Sequence, residues 1–311
     1  MIELPSPRAA AELLATLVLA PLLLSVIAKT KAAFSGRVGP PWLQPYATLA
    51  KLLRKGAVYS ETTTWIFRAG PIVTLAALLA SATLVPVLSG EALLSFRGDV
   101  VLVVYLFALG RMFTILAALD TGSSFEGMGA SREATWGALC EPALFLALAA
   151  LAIATQSLEL GTMLGAGLAE ARGSVGPALT LVVGALGVVM LCECSRLPVD
   201  DPATHLELTM VHEVMVLDHG GPDLAAITYG AALRLVLFGS LVVHALLPHD
   251  HLPAWGDDAL RLIELGALAA AVGAVESVMA RLRLTRVPLL LVGATVLAGL
   301  AALLSLSGRA S

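Results

Sequence analysis

The sequence predicts an all-α fold, a polytopic bundle of about eight membrane-spanning helices, and three observations predict it. Hydrophobic residues make up 58% of the 311 residues and charged ones only 14%, with a mean hydropathy of +0.88. A water-soluble domain of this length could not bury so much apolar surface. The apolar residues also gather in blocks of about 18–25, the length a helix needs to cross a bilayer. These blocks lack the period-2 alternation of barrel strands, which leaves helices as the spanning structure.

The blocks place spans at 9–31, 71–89, 99–119, 134–157, 177–195, 223–247, 259–280 and 287–307. The first, from Ala9 to Ala28, has no small-residue cleavage site after it and reads as a retained span, not a signal peptide. Pro71, Asp99, Pro177 and Asp223 stand at span starts, where Pro and Asp suit a helix's first turn. The block 259–280 is the least apolar, because it carries Glu264 and Glu276. Residues 1–311 form a single transmembrane domain without internal repeats.

Basic residues set the orientation. With the N-terminus outside, inner segments hold Lys29, Lys31, Arg37, Lys51, Arg54, Lys55, Arg68, Arg132, Arg196, Arg281, Arg283 and Arg286. Arg111 falls near the inner end of the third span, and Arg234 is left within the sixth. Both termini are then outside, and three long cytoplasmic loops follow: 32–70, 120–133 and 196–222. Most of the polar chemistry lies in them. The net charge of −4 is spread out, and no basic stripe points to nucleic acid.

In the first loop, Gly39-Pro40-Pro41 breaks the helix and Gln44-Pro45 starts another. Leu49, Leu52 and Leu53 share one face, while Lys51, Arg54 and Lys55 lie on others. That pattern is a short amphipathic helix lying in the membrane interface.

The second loop has Gly122, Gly127 and Gly129 for turns and Ser131, before Arg132-Glu133, as an N-cap for the next span. Glu141 then lies inside that span, one position before Pro142. A carboxylate at that depth is costly unless it faces protein or water, which makes it a candidate proton carrier.

The third loop is the densest. Glu193 and Arg196 are three apart and read as an ion pair on one helix surface, ended by Pro198. Asp200, Asp201 and Pro202 form a turn and open a new helix, and His205 and His212 share a face of it, with Glu207 and Glu213 turned elsewhere. Carboxylates and imidazoles at a membrane edge suit proton handling. A zinc protease would need a second His four residues after His212, where Val216 stands. Cys140, Cys192 and Cys194 are too few for an iron–sulfur or zinc site, and read as small buried residues.

Three segments carry a resemblance. They are GPPWLQPYATLAKLLRK, LDTGSSFEGMGASREA with Glu141-Pro142 after it, and ECSRLPVDDPATHLELTMVHEVMVLDHGGPDLA. They resemble the complex I subunit 1 family, at the junction with the peripheral arm. They look still more like its homologue in membrane-bound group 4 nickel–iron hydrogenases, the formate hydrogenlyase subunit 4 and hydrogenase-4 type. Two departures lie in loops that meet partners: Gly56 where the family often has Glu, and Phe125-Glu126-Gly127 where Phe-Gly-Gly is common.

The resemblance implies a non-catalytic heel subunit that anchors a soluble hydrogenase arm. Its partners would be the hydrogenase large and small subunits, an iron–sulfur subunit and antiporter-like membrane subunits. It would bind no metal itself, while the complex would carry iron–sulfur clusters and a nickel–iron centre. Electron transfer would be coupled to proton or sodium movement through Glu141, Glu193, Asp200, Asp201, Glu207 and Glu213. Arg196, His205, His212, Arg132, Glu133, Gln44 and Lys51 would be structural or meet partners. The alternative reading is the quinone-chamber subunit of an NADH-quinone oxidoreductase. These residues name no electron donor, coupling ion or quinone site. A stand-alone transporter would show two related halves with broken helices, which are absent here. A purely structural anchor leaves Glu141, Glu193 and Glu276 without a reason to stand in lipid.

Overall fold

The computed structural model describes residues 6–88, 92–200, 210–247 and 254–310, and every regular element among them is helical. In order these are α1 (Pro7–Phe34), α2 (Gln44–Leu53), α3 (Trp65–Leu84), α4 (Asp99–Asp120), α5 (Ser124–Thr155), α6 (Leu160–Leu164), α7 (Ala166–Glu193), α8 (His212–Met215), α9 (Gly221–Leu246), α10 (Ala254–Val278) and α11 (Val287–Ala310). All eight predicted spans coincide with helices: α1, α3, α4, α5, α7, α9, α10 and α11. Seven of them are long and apolar enough to cross a membrane. The eighth, α10, carries Asp257, Asp258, Arg261, Glu264 and Glu276, several of them paired inside the protein.

Helix α9 is the central post, with most of its side chains buried. Phe238 on α9 stacks on Phe107 of α4, with ring centroids 4.7 Å apart. Helices α3 and α4 form an antiparallel pair. The α4 terminus Asp120 accepts from the Thr64 and Phe67 amides at 2.7 and 3.2 Å, which satisfies the first donors of α3. A Cβ at Gly70 would lie 2.6 Å from the Ala117 side chain, so only glycine allows that approach. Helix α11 packs along α5 and α7, and α1 packs along α10 and α9.

Several predicted boundaries move. Helix α3 begins at Trp65, so Pro71 lies inside it. Pro177 does stand near a helix start: the stretch from Ala166 breaks at Val175, which takes non-helical angles, and the span begins there, two residues before the proline. Asp99 and Asp223 do stand in first turns. The expected loop 120–133 is mostly helix, because α5 starts at Ser124 and only Thr121, Gly122 and Ser123 separate it from α4. Ser131 is no N-cap; its hydroxyl donates to the Met128 carbonyl within α5. Gly122, with φ +69°, makes the turn, while Gly129 gives α8 room, since a Cβ there would overlap Val214. Helix α7 ends at Glu193 and not at Pro198: Ser195 takes φ 50°, and the Arg196 amide turns back to the Leu191 carbonyl at 2.8 Å. The amphipathic helix in the first loop is α2, with Gln44 at its first turn.

Candidate functional site

The polar centre of the bundle is Arg111 on α4. It stands nine residues inside the helix end at Asp120, roughly 14 Å along the axis. Its guanidinium meets three carboxylates. Nη1 donates to Glu141 at 2.9 Å, Nη2 donates to Glu193, and Nε lies 3.7 Å from Glu133. Arg111 and Glu193 are almost wholly buried.

Glu133, Gly137 and Glu141 recur every four residues and so share one face of α5. The guanidinium lies on the glycine between them: a Cβ at Gly137 would sit 2.5 Å from Nη1 and 2.9 Å from Cδ. A second arginine closes the group, as Arg234 of α9 donates to the Glu193 main-chain carbonyl at 3.2 Å. Beside Glu193 and Arg234 opens a cavity of about 50 Å³, walled by His212, His219, Thr74 and Gly230 among others. That is room for a few water molecules. His219 stacks face to face on Phe67 at 4.0 Å, and its buried Nδ1 has no hydrogen-bond partner among the described residues. Burial, with the positive Arg234 adding to it, pulls the His212 imidazole down to about 4, and burial lowers His219 as well. Both rings are therefore neutral near pH 7, each with one donor and one acceptor nitrogen.

The structure brings together Glu141, Glu193, Glu133 and His212. It does not pair Glu193 with Arg196. Arg196 turns the other way to Glu276 at 3.3 Å, and Lys31 of α1 reaches the same carboxylate at 2.8 Å. The i,i+3 pairing fails because Glu193 ends α7 and the chain reverses at Ser195, so the two are no longer neighbours on one helix surface. Glu141 is less enclosed than its span position suggests, since 38% of its side chain is exposed on the flank of the bundle.

Asp200 is buried and does not stand at an open mouth. It accepts from the Val211 and His212 amides at 3.2 and 3.1 Å and faces Arg281 at 3.4 Å, which ties the third loop to the segment after α10. Arg132 donates to the Met210 carbonyl at 3.2 Å and holds the same loop from α5. Glu213 is partly buried on α8, beside His212. Gln44 and Lys51 are exposed on α2. Asp201, His205 and Glu207 lie outside the described residues.

The cysteines are free, Cys140 buried and Cys192 and Cys194 partly so. Among the described residues no three His, Cys, Asp or Glu side chains are arranged to hold a metal ion.

Arg111 and Arg234 counted in the sequence only toward orientation. Their signal was there: an arginine inside an apolar span must find partners in the protein.

The NADH dehydrogenase family matches residues 9–307 of the chain. Formate hydrogenlyase subunit 4 of Escherichia coli is 30% identical over 275 residues, which cover 86% of this chain and 88% of that protein. Hydrogenase-4 component C of the same organism is 33% identical over 242 residues, covering 77% and 75%. Among solved structures, a chain of the membrane-bound sulfane sulfur reductase, an archaeal respiratory membrane complex, superposes with a TM-score of 0.79. At 20% identity, over 96% of this chain and 98% of that one, it shares the fold.

Proposed function

This chain belongs to the NADH dehydrogenase family and is homologous to membrane subunits of hydrogenase and complex I-type assemblies; on that premise we propose that it is the heel subunit of a formate hydrogenlyase-like respiratory complex, which anchors the soluble redox arm and passes protons through its Arg111 cluster. The observation that carries the coupling role is the contact of Arg111 with three carboxylates, one of them lining a cavity of water size. Protons exchange readily in such a group, because carboxylates outnumber the cations that hold them ionised. The cavity suits a few waters better than a ring-sized ligand, whose pockets run to roughly 300 Å³ or more.

The order of events follows from the contacts. Water in the cavity delivers a proton to the edge of Glu193. Arg111 bridges Glu193 to Glu141, so a change of charge on one carboxylate alters the hold on the other. Glu141, partly exposed on the flank, hands the proton on to neighbouring antiporter-like subunits. The neutral His212 and His219 line the same cavity.

In the same reading the end of the bundle with α2 and α8 faces the cytoplasm, as the basic residues direct, and both termini lie outside. The segments around α2 and from Arg196 to Gly220 would meet the hydrogenase large and small subunits and the iron–sulfur subunit. Those partners would hold the clusters and the nickel–iron centre. The three cysteines of this chain do not make a cluster's ligand set, and no step is routed through one.

The test is Glu141→Gln in sealed vesicles. The variant keeps the shape and removes the titration. It is expected to assemble and to turn over hydrogen with artificial electron partners while losing coupled ion translocation. Undiminished translocation at unchanged hydrogenase rate overturns the role of Glu141. For the docking face, cross-links from the soluble arm are expected at residues 32–64 and 196–220. Cross-links confined to 92–98 and 247–258 would reverse the orientation.

A further inference from the structure

We infer that the pocket between α5 and the segment 281–286 binds an anionic phospholipid, whose phosphate is held by Arg283, Thr285 and Arg286 and whose acyl chain runs down the outer face of α5. Such a site needs no proton path and is tested apart from it.

A pocket of about 290 Å³ opens on the surface there, lined by Ser131, Arg132, Thr135, Trp136, Leu284 and Thr285. Ligand sites begin at about that size, roughly 300 Å³. The lining mixes hydroxyls and a guanidinium with the apolar Trp136 and Leu284, and among the described residues no carboxylate belongs to it. The apolar run of α5 opens at Ala134, and α11 begins at Val287. The pocket therefore stands where two spans leave the hydrocarbon, at the level of lipid headgroups.

The arginines beside it are of two kinds. Arg132 and Arg281 are engaged inside the protein. Arg132 donates to the Met210 carbonyl at 3.2 Å, and Arg281 faces Asp200 at 3.4 Å. Arg283 and Arg286 are exposed and have no ion-pair partner among the described residues. They flank Thr285 in one turn, closed by the Arg286 amide donating to the Arg283 carbonyl at 2.8 Å. Two guanidiniums and a hydroxyl within four residues suit a phosphate, which arginine grips through paired N–H donors.

The surface next to the pocket assigns that phosphate to a lipid. Ser131 and Thr135 are exposed on a face of α5 that continues through Ala138, Pro142 and Phe145, all exposed, at i, i+4, i+7, i+11 and i+14. From Thr135 to Phe145 is roughly 15 Å, the hydrocarbon depth of one leaflet. Glu141, beside Pro142, is held to Arg111 at 2.9 Å. Helix α11 adds the exposed Leu289, Val292 and Val296. A free phosphate gains nothing from an apolar track, and a zwitterionic headgroup brings its own cation to the two arginines. An anionic phospholipid satisfies both parts of the site. Its phosphate would bridge the two segments that already hold the third loop, α5 through Arg132 and the segment after α10 through Arg281.

The test is native mass spectrometry of the purified complex that holds this chain, delipidated in detergent and titrated with phosphatidylglycerol, phosphatidylcholine or inorganic phosphate. Wild type is expected to fill a saturable site with phosphatidylglycerol and with neither of the others. Arg283→Gln combined with Arg286→Gln is expected to weaken that site about 25-fold, at roughly fivefold for each arginine near a membrane surface. Thr135→Phe fills the pocket with every charge left in place and is expected to abolish the site. Equal filling by phosphatidylcholine makes the pocket an apolar groove only and overturns the inference. Saturation by inorganic phosphate alone overturns the lipid as the source. Unchanged affinity in the arginine pair or in Thr135→Phe overturns the assignment, and so does a cross-link from 281–286 to a soluble subunit in a complex that fills no lipid site. Where the arginine variant fails to assemble, Thr135→Phe decides, because Thr135 is exposed and its hydroxyl donates within its own helix, to the Ser131 carbonyl at 2.8 Å.

Discussion

Two buried ion clusters stand near one end of this bundle with opposite charge balance. At one, Arg111 meets Glu133, Glu141 and Glu193, with Arg234 beside them on the Glu193 main chain. At the other, a single carboxylate, Glu276, faces Lys31 and Arg196. Glu193 and Arg196 are three residues apart, so the end of α7 feeds both. The difference separates two uses of a buried ion. Glu276 has two cations to one carboxylate, so it acts as a fixed staple between α1, α10 and the segment after α7. The Arg111 group has carboxylates to spare, the balance on which the proposed proton path rests. An excess of acid over base, and not burial by itself, is what sets the two clusters apart.

The comparison can be broken most severely at Arg111. Arg111→Met leaves three carboxylates in the bundle without their shared cation, at a cost of about 3–5 kcal/mol. The expected result is little assembled protein, read by size-exclusion yield and thermal unfolding. Normal assembly would show that Arg111 is not the hub.

Gly137→Ala tests the seat more gently. The added methyl meets Nη1 at 2.5 Å and forces the guanidinium aside, at about 1–3 kcal/mol. Translocation is expected to fall in this variant and its pH dependence to shift, because the hold on Glu141 changes. An unmoved pH profile would mean that the guanidinium position is immaterial.

Glu276→Gln sharpens the contrast. It weakens the staple, whose cations are partly exposed, by about 1–2 kcal/mol. The melting temperature is expected to drop while coupling per hydrogen turned over stays at the wild-type value. A coupling defect at normal assembly would put Glu276 in the path.

His212 gives a pH test beside the first cluster. An unfolded chain protonates this ring near 6.5, and the folded protein only near 4. Across that window the unfolded state binds more protons, so stability is full above 6.5 and is lost as pH falls toward 4. His212→Gln is expected to flatten that part of the acid limb in thermal melts, and an unchanged limb would place the ring elsewhere. The smallest effect belongs to Lys31→Ala. Its side chain is 36% exposed, and the expected loss is about 0–1 kcal/mol, within reach of a careful melting series.

Much of the fold was legible in the chain because lipid imposes a strict rule. A span needs a long apolar run, and all eight runs became helices, α10 included, despite its charges. Helix α2 was legible for a similar reason, as its leucines and lysines separate onto different faces within ten residues. Boundaries were less so. Pro71 invited a helix start, yet α3 runs through it, because neighbouring helices hold the chain where a proline removes a hydrogen bond. Ser131 had the composition of a cap and stands two turns inside α5.

The site divides along the same line. Sequence by itself determined that Glu141 and Glu193 lie within apolar spans, that Arg111 and Arg234 fall in such spans too, and that most of the remaining polar residues gather between spans. Those are consequences of the cost of a charge in lipid, which each residue carries wherever it goes. Only the tertiary structure decided who meets whom. Arg111 lies 30 residues from Glu141 and 82 from Glu193, and Arg196 lies 80 from Glu276. The spacing rule available in one dimension reaches one helical turn, and it paired Glu193 with Arg196. A positive φ at Ser195 turned those two apart, and the packing of α4 against α5 and α7, with glycine at 137 to admit it, gave Arg111 its three acids.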